Sequence, residues 1–149
     1  MNYARLNLSS VYNAQGKNEK ALQVLEAAGK IDPKNDRVWY NLALLSNEMN
    51  DKPKAEIYFA KAVELKTNNP RVYYNYGLLL NGSGKFKEAE KILQKGINID
   101  PTSADLYYAL TIVYLQSRDD VEARQTGLKL KQLDYNNPAY RELLRKMGM

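Results

Sequence analysis

Residues 69–96 read NPRVYYNYGLLLNGSGKFKEAEKILQKG. Tyr73, Tyr76, Gly77 and Leu80 fall at i, i+3, i+4 and i+7, the spacing of one buried face of an α-helix. Asn69-Pro70 reads as an N-cap followed by proline at the first helical position, where a missing N–H costs little. Gly84 stands where that helix must stop, since a left-handed residue ends helices and glycine tolerates it best. Ala89, Leu93 and Gly96 then place small and large residues on one face of a second helix. The stretch therefore predicts two antiparallel helices joined by a short turn.

Outward from it, the same unit recurs. Ala21, Ala55, Ala89 and Ala123 are each 34 residues apart, as are the aromatics Trp39, Tyr73 and Tyr107. Asn7, Asn41 and Asn75 keep the step, and so do Asn13, Asn47 and Asn81. Asp32-Pro33 returns as Asp100-Pro101, and Asn69-Pro70 as Asn137-Pro138, at twice the period. Gly16 and Asn50 match Gly84 in the turn, and Pro53 fits the first turn of its helix. Trp39, Leu42 and Ala43 repeat the buried face of the quoted stretch. Self-similarity at a fixed period is the signature of stacked units, none of which buries its apolar face alone.

These residues resemble the tetratricopeptide repeat family. Leu8, Tyr12, Ala21, Leu25, Ala28 and Pro33 carry the likeness in the first unit, and Trp39, Leu42, Ala43, Ala55, Phe59 and Ala62 in the second. Tyr73, Gly77, Ala89, Leu93 and Pro101 carry it in the third, and Tyr107, Leu110, Tyr114 and Ala123 in the fourth. The resemblance implies an all-α, right-handed superhelical solenoid: one domain over 1–149, with repeats at 2–35, 36–69, 70–103 and 104–137. An amphipathic segment with Tyr140, Leu143, Leu144 and Met147 on one side reads as a capping helix over 138–149. Three departures stand out: Arg5 where an aromatic is usual, Gly127 where a large residue is usual, and Arg118 where the turn prefers glycine. The second helix of the fourth repeat is thus expected to pack least well. No matching cap precedes Met1, which suggests excision from a longer chain.

Composition narrows the chemistry. The 149 residues include no cysteine and no histidine, which removes disulfides, thiolate zinc sites, thiol nucleophiles and histidine relays. No enzyme, metal site or cofactor is expected. No run of about 18 apolar residues is present, so no membrane insertion is expected either. The first residues carry no apolar signal core. The compartment stays open: cytoplasmic by default, periplasmic if a leader or larger N-terminal part was removed. The net charge of +5 admits an acidic partner or nucleic acid, but the lysines are scattered along the helices, as on a solvated surface.

In the family, the first helices of the repeats line a concave groove. At about 100° per residue, the positions of Asn7, Asn41 and Asn75 point away from the core face, as do those of Asn13, Asn47 and Asn81. The same side receives Tyr40, Tyr74 and Tyr108, then Arg37 and Arg71 with Asp105, then Leu44, Leu78 and Ile112. An asparagine amide both donates and accepts, so a ladder of them grips an extended backbone without reading its sequence. Each such bond contributes roughly 0.5–1.5 kcal/mol. The tyrosines add packing and the arginines attract acidic groups. The resemblance implies backbone contact for Asn41 and Asn75 in particular. Competing readings are hydrogen bonding between repeats for these two, helix-end placement for Asn47 and Asn81, and core packing for the tyrosines.

The family's clamp for chaperone C-terminal carboxylates is poorly matched. Where it needs lysines, asparagines and an arginine, this chain supplies Leu6, Ser10, Asn41, Arg71 and Asn75. The leading expectation is a scaffold that binds a peptide or protein segment in the groove. The alternative is an assembly or self-association module of a larger protein. A single-stranded nucleic-acid binder is less favoured, because that face holds few lysines for phosphate.

Overall fold

The computed structural model describes residues 2–149, with side chains from residue 3 onward, so Met1 in the expected domain lies outside the described residues. Among them are nine α-helices and no strand. The helices are α1 (Asn2–Ala14), α2 (Asn18–Ile31), α3 (Asp36–Glu48), α4 (Lys52–Glu64), α5 (Pro70–Gly82), α6 (Phe86–Ile99), α7 (Ala104–Gln116), α8 (Asp120–Leu133) and α9 (Pro138–Lys146). They form two compact units, Met1–Thr67 and Asn68–Met149.

Local chemistry sets the helix ends. Asn35, Asn69 and Asn137 cap α3, α5 and α9, their side-chain oxygens accepting from the N–H groups of Arg37, Arg71 and Ala139 at 2.9–3.1 Å. Asp51 and Asp119 do the same for α4 and α8. Each satisfies one of the orphan donors of a helix start. At the other end, Gly16, Asn50, Gly84 and Arg118 all take left-handed backbone, with φ of 74, 61, 75 and 63°. The chain then turns so that the N–H groups of Lys17, Asp51, Lys85 and Asp119 donate to the carbonyls of Tyr12, Ser46, Leu80 and Tyr114 at 2.8–2.9 Å. Arg118 adopts the glycine conformation despite its side chain, at a cost the surrounding turn must offset.

In the first unit, Leu6, Leu22, Leu25, Ala28, Val38, Leu42 and Leu45 form one apolar cluster across α1, α2 and α3. Gly29 makes room for Trp39: a Cβ at Gly29 would lie 2.9 Å from Cη2 of the indole. The Trp39 ring stacks on Tyr58 at 6.0 Å and its N–H donates to the Pro33 carbonyl at 2.8 Å. Leu8 carries the family likeness at the position of the buried Leu42, where a core residue is expected, and the structure corrects this expectation. Leu8 is 42% exposed and Val11 50%, whereas their 34-residue counterparts Leu42 and Leu45 are buried. Leu42 and Leu45 pack with the α2 residues Leu22, Leu25 and Ala28, while α1 follows no helix pair among the described residues.

The second unit is held by close backbone approach. A Cβ at Gly77 would meet Leu93 Cγ at 2.6 Å, and one at Gly96 would meet Tyr73 Cβ at 2.7 Å and Leu106 at 3.1 Å. Leu80, Leu93, Leu106, Leu110, Leu130 and Leu144 are fully buried. Tyr114 donates its hydroxyl to Glu90 at 3.1 Å, and the Thr111 and Thr126 hydroxyls join α7 to α8 at 2.9 Å. Gly127, which looked too small for α8, faces Leu144, Met147 and Met149, the part of the chain that covers it.

Candidate functional site

The residues singled out for binding lie on the first helices of the pairs. In the first unit, Asn7, Asn13 and Asn47 are exposed and Asn41 is half-buried. None of these four side chains makes a hydrogen bond among the described residues. Leu44 is half-buried between Asn41 and Asn47. Arg37 is exposed, with its guanidinium 6.0 Å from the Tyr3 ring centre. Tyr40 is half-buried against Phe59, with ring centres 6.2 Å apart, so it serves packing as well as surface.

A notch of about 120 Å³ opens in this face. Ser9, Ser10 and Asn13 of α1 line it with Ala21 and Leu25 of α2 and Asn41, Leu44, Leu45 and Glu48 of α3. The Ser9 and Ser10 hydroxyls both donate to the Leu6 carbonyl, at 2.8 and 3.0 Å, the local bonding open to serine within a helix. Ser9 and Glu48 did not stand out from the sequence. Glu48 follows Asn47 on the outward side, and that position was legible, but it does not repeat: its counterparts are Ala14, Gly82 and Gln116.

In the second unit, Arg71 is exposed and Tyr74, Asn75, Leu78 and Tyr108 are half-buried. Asn81 departs from its counterparts: it is only 8% exposed, and its side-chain oxygen has no hydrogen-bond partner among the described residues. Tyr108 and Tyr140 pack with ring centres 5.0 Å apart, and the Tyr140 hydroxyl donates to the Asp105 carboxylate. Burial, then the Asp105 hydrogen bond and charge, push the Tyr140 hydroxyl well above its ordinary value. Tyr74 is pushed the same way, by burial first and then by Asp105 and Tyr108, with Arg71 opposing. Phenols so held stay neutral hydrogen-bonding groups at any ordinary pH.

Among the described residues, no group of three or more His, Cys, Asp or Glu is placed to hold a metal ion, and no helix is long and apolar enough to cross a membrane.

Similarity to known proteins bears on the fold. MamA 41-end from Desulfovibrio magneticus RS-1 superposes with a TM-score of 0.85 at 22% identity, over 97% of this chain and 82% of that one. A MamA RS-1 double mutant gives 0.86 over the same shares. Pseudomonas aeruginosa pilF gives 0.78 at 26% identity, over 92% of this chain and 63% of that one. No curated protein matches. Three models of the tetratricopeptide repeat match residues 10–47, 36–69 and 80–147. With helix pairs, closing turns and small-residue contacts all in the same register, the chain belongs to the tetratricopeptide repeat family, whose general role is protein–protein interaction.

Proposed function

We propose that the chain binds a segment of another polypeptide along the outward faces of its first helices and carries out no catalysis of its own. The observation that carries this reading is the set Asn7, Asn13, Asn41 and Asn47. These are four amides on one side of α1 and α3, accessible and without intramolecular hydrogen bonds among the described residues. Polar groups inside a fold are ordinarily paired, whereas unpaired amides at a surface are free to exchange water for the N–H and C=O groups of an extended chain. Leu44 and Leu78 add apolar contact, and Arg37 and Arg71 favour acidic groups beside the bound backbone. The second unit, by itself, presents the half-buried rings of Tyr74 and Tyr108 and the exposed Arg71.

The test is affinity purification from the cells that make the protein, with mass spectrometry, comparing wild type with Asn41→Ala/Asn47→Ala. Loss of specific partners, with the melting temperature unchanged, supports the reading. Unchanged recovery counts against it.

A second reading, self-association, is favoured by Leu8 and Val11, two exposed aliphatic side chains one turn apart on α1. Sedimentation of the wild type against Leu8→Ser/Val11→Ser tests it. A monomer in both cases removes it.

A further inference from the structure

The notch between α1 and α3 has a floor and a rim of different chemistry. Its floor is aliphatic, from Ala21, Leu25, Leu44 and Leu45. Its rim offers acceptors. Ser9 and Ser10 have spent their hydroxyl protons on the Leu6 carbonyl, which leaves only lone pairs facing outward. Asn13 and Asn41 add amides with no hydrogen bond among the described residues, each able to accept as well as donate, and Glu48 is the single charged residue in the lining. Glu48 is exposed and makes no ion pair among the described residues. The nearest arginine along α3, Arg37, is eleven residues away, which is about 16 Å of helix axis at 1.5 Å per residue.

An aliphatic floor under an anionic, acceptor-rich rim complements an aliphatic stem that ends in a cation, the form in which lysine buries its methylenes and keeps its charge at a polar edge. The space is small, about 120 Å³. It suits a slender unbranched chain better than an aromatic ring. We propose that this notch receives a basic side chain, lysine by size, from the polypeptide segment bound on α1 and α3, with Glu48 as its counter-charge and Asn13 and Asn41 as flanking acceptors. The inference rests on the binding role assigned to this face. It adds a sign to it: a basic partner residue at the Glu48 end, although the whole chain is itself basic.

The test is selection from a random dodecapeptide library displayed on phage, on the full chain and on Glu48→Gln, Glu48→Lys and Asn41→Ala, each checked for an unchanged melting curve. Wild type should enrich peptides with lysine or arginine at one fixed position. Glu48→Gln should weaken the best of these roughly two- to fivefold, and Glu48→Lys should replace the basic preference by an acidic one. Enriched peptides with no basic position, or a preference untouched by Glu48→Lys, would overturn the notch. If those peptides still lose affinity with Asn41→Ala, the binding role of the face stands without it. Peptides indifferent to both Asn41 and Glu48, or no enrichment at all, would overturn both.

Discussion

Gly96→Ala tests how closely the helix pairs must approach. The methyl group would sit 2.7 Å from Tyr73 Cβ and 3.1 Å from both Leu106 methyls. Carbon–carbon contacts are comfortable at about 3.5–4.0 Å, so the shortfall against Tyr73 is roughly 0.8–1.3 Å. Tyr73 Cβ is fixed to its backbone and cannot rotate away, and Leu106 is fully buried. The strain must be relieved by parting α6 from α5 and α7. Overpacking of this kind costs about 1–3 kcal/mol. Against it, alanine gains ~0.8–1 kcal/mol over glycine in helix propensity. The backbone-bound clash places the cost in the upper part of its range, so a net loss of about 1–2 kcal/mol is expected. That is a fall in Tm of about 2–8 °C for a chain of this size. Gly82→Ala is the control: Gly82 is the last residue of α5, exposed, and beyond its chain neighbours and its own helix backbone no described atom lies within 4 Å of the added Cβ, so stability should hold or rise slightly. Urea titration followed by far-UV circular dichroism measures both. Gly96→Ala as stable as Gly82→Ala would refute the reasoning.

Other outcomes follow from single contacts. Burial and the bond to Glu90 push the Tyr114 hydroxyl up to about 12 from its ordinary 10.0. A raised folded-state value means its contribution is intact below pH 10 and lost as pH climbs towards 12. Tyr114→Phe should therefore flatten the alkaline fall in stability over that window, and an unchanged slope would contradict this. Tyr140→Phe removes the hydroxyl that donates to Asp105 and should cost about 1 kcal/mol, read from the urea midpoint. Leu144, 1% exposed, anchors α9, so Leu144→Ala should cost about 2–3 kcal/mol and raise amide exchange in α9 before α5.

The helix pairs were legible because their signals are local and repeated. Asn69-Pro70 and Asn137-Pro138 open helices, and Gly16, Asn50 and Gly84 end them in left-handed backbone, as their chemistry requires. The core was only half legible. Val38, Val72 and Leu106 are buried, as are Leu45, Leu79 and Val113, yet neither series stood out, since valine and leucine are common enough to hide a period. Leu8 misled because burial depends on what lies alongside a helix, which its own pattern does not encode. Asn81 shares the spacing of Asn13 and Asn47 but is buried, because its neighbours, not its register, decide its exposure. Glu48 breaks the repeat, so a periodic reading passes over it.

The binding face itself is tested most directly by photocrosslinking in the cells that make the protein, with a photoreactive amino acid at Leu44 on α3 or at the exposed Ala60 on α4. The account predicts a discrete crosslinked polypeptide from Leu44, lost when Asn41→Ala is added, and none from Ala60. The same adduct from Ala60, or one from Leu44 indifferent to Asn41, would contradict it.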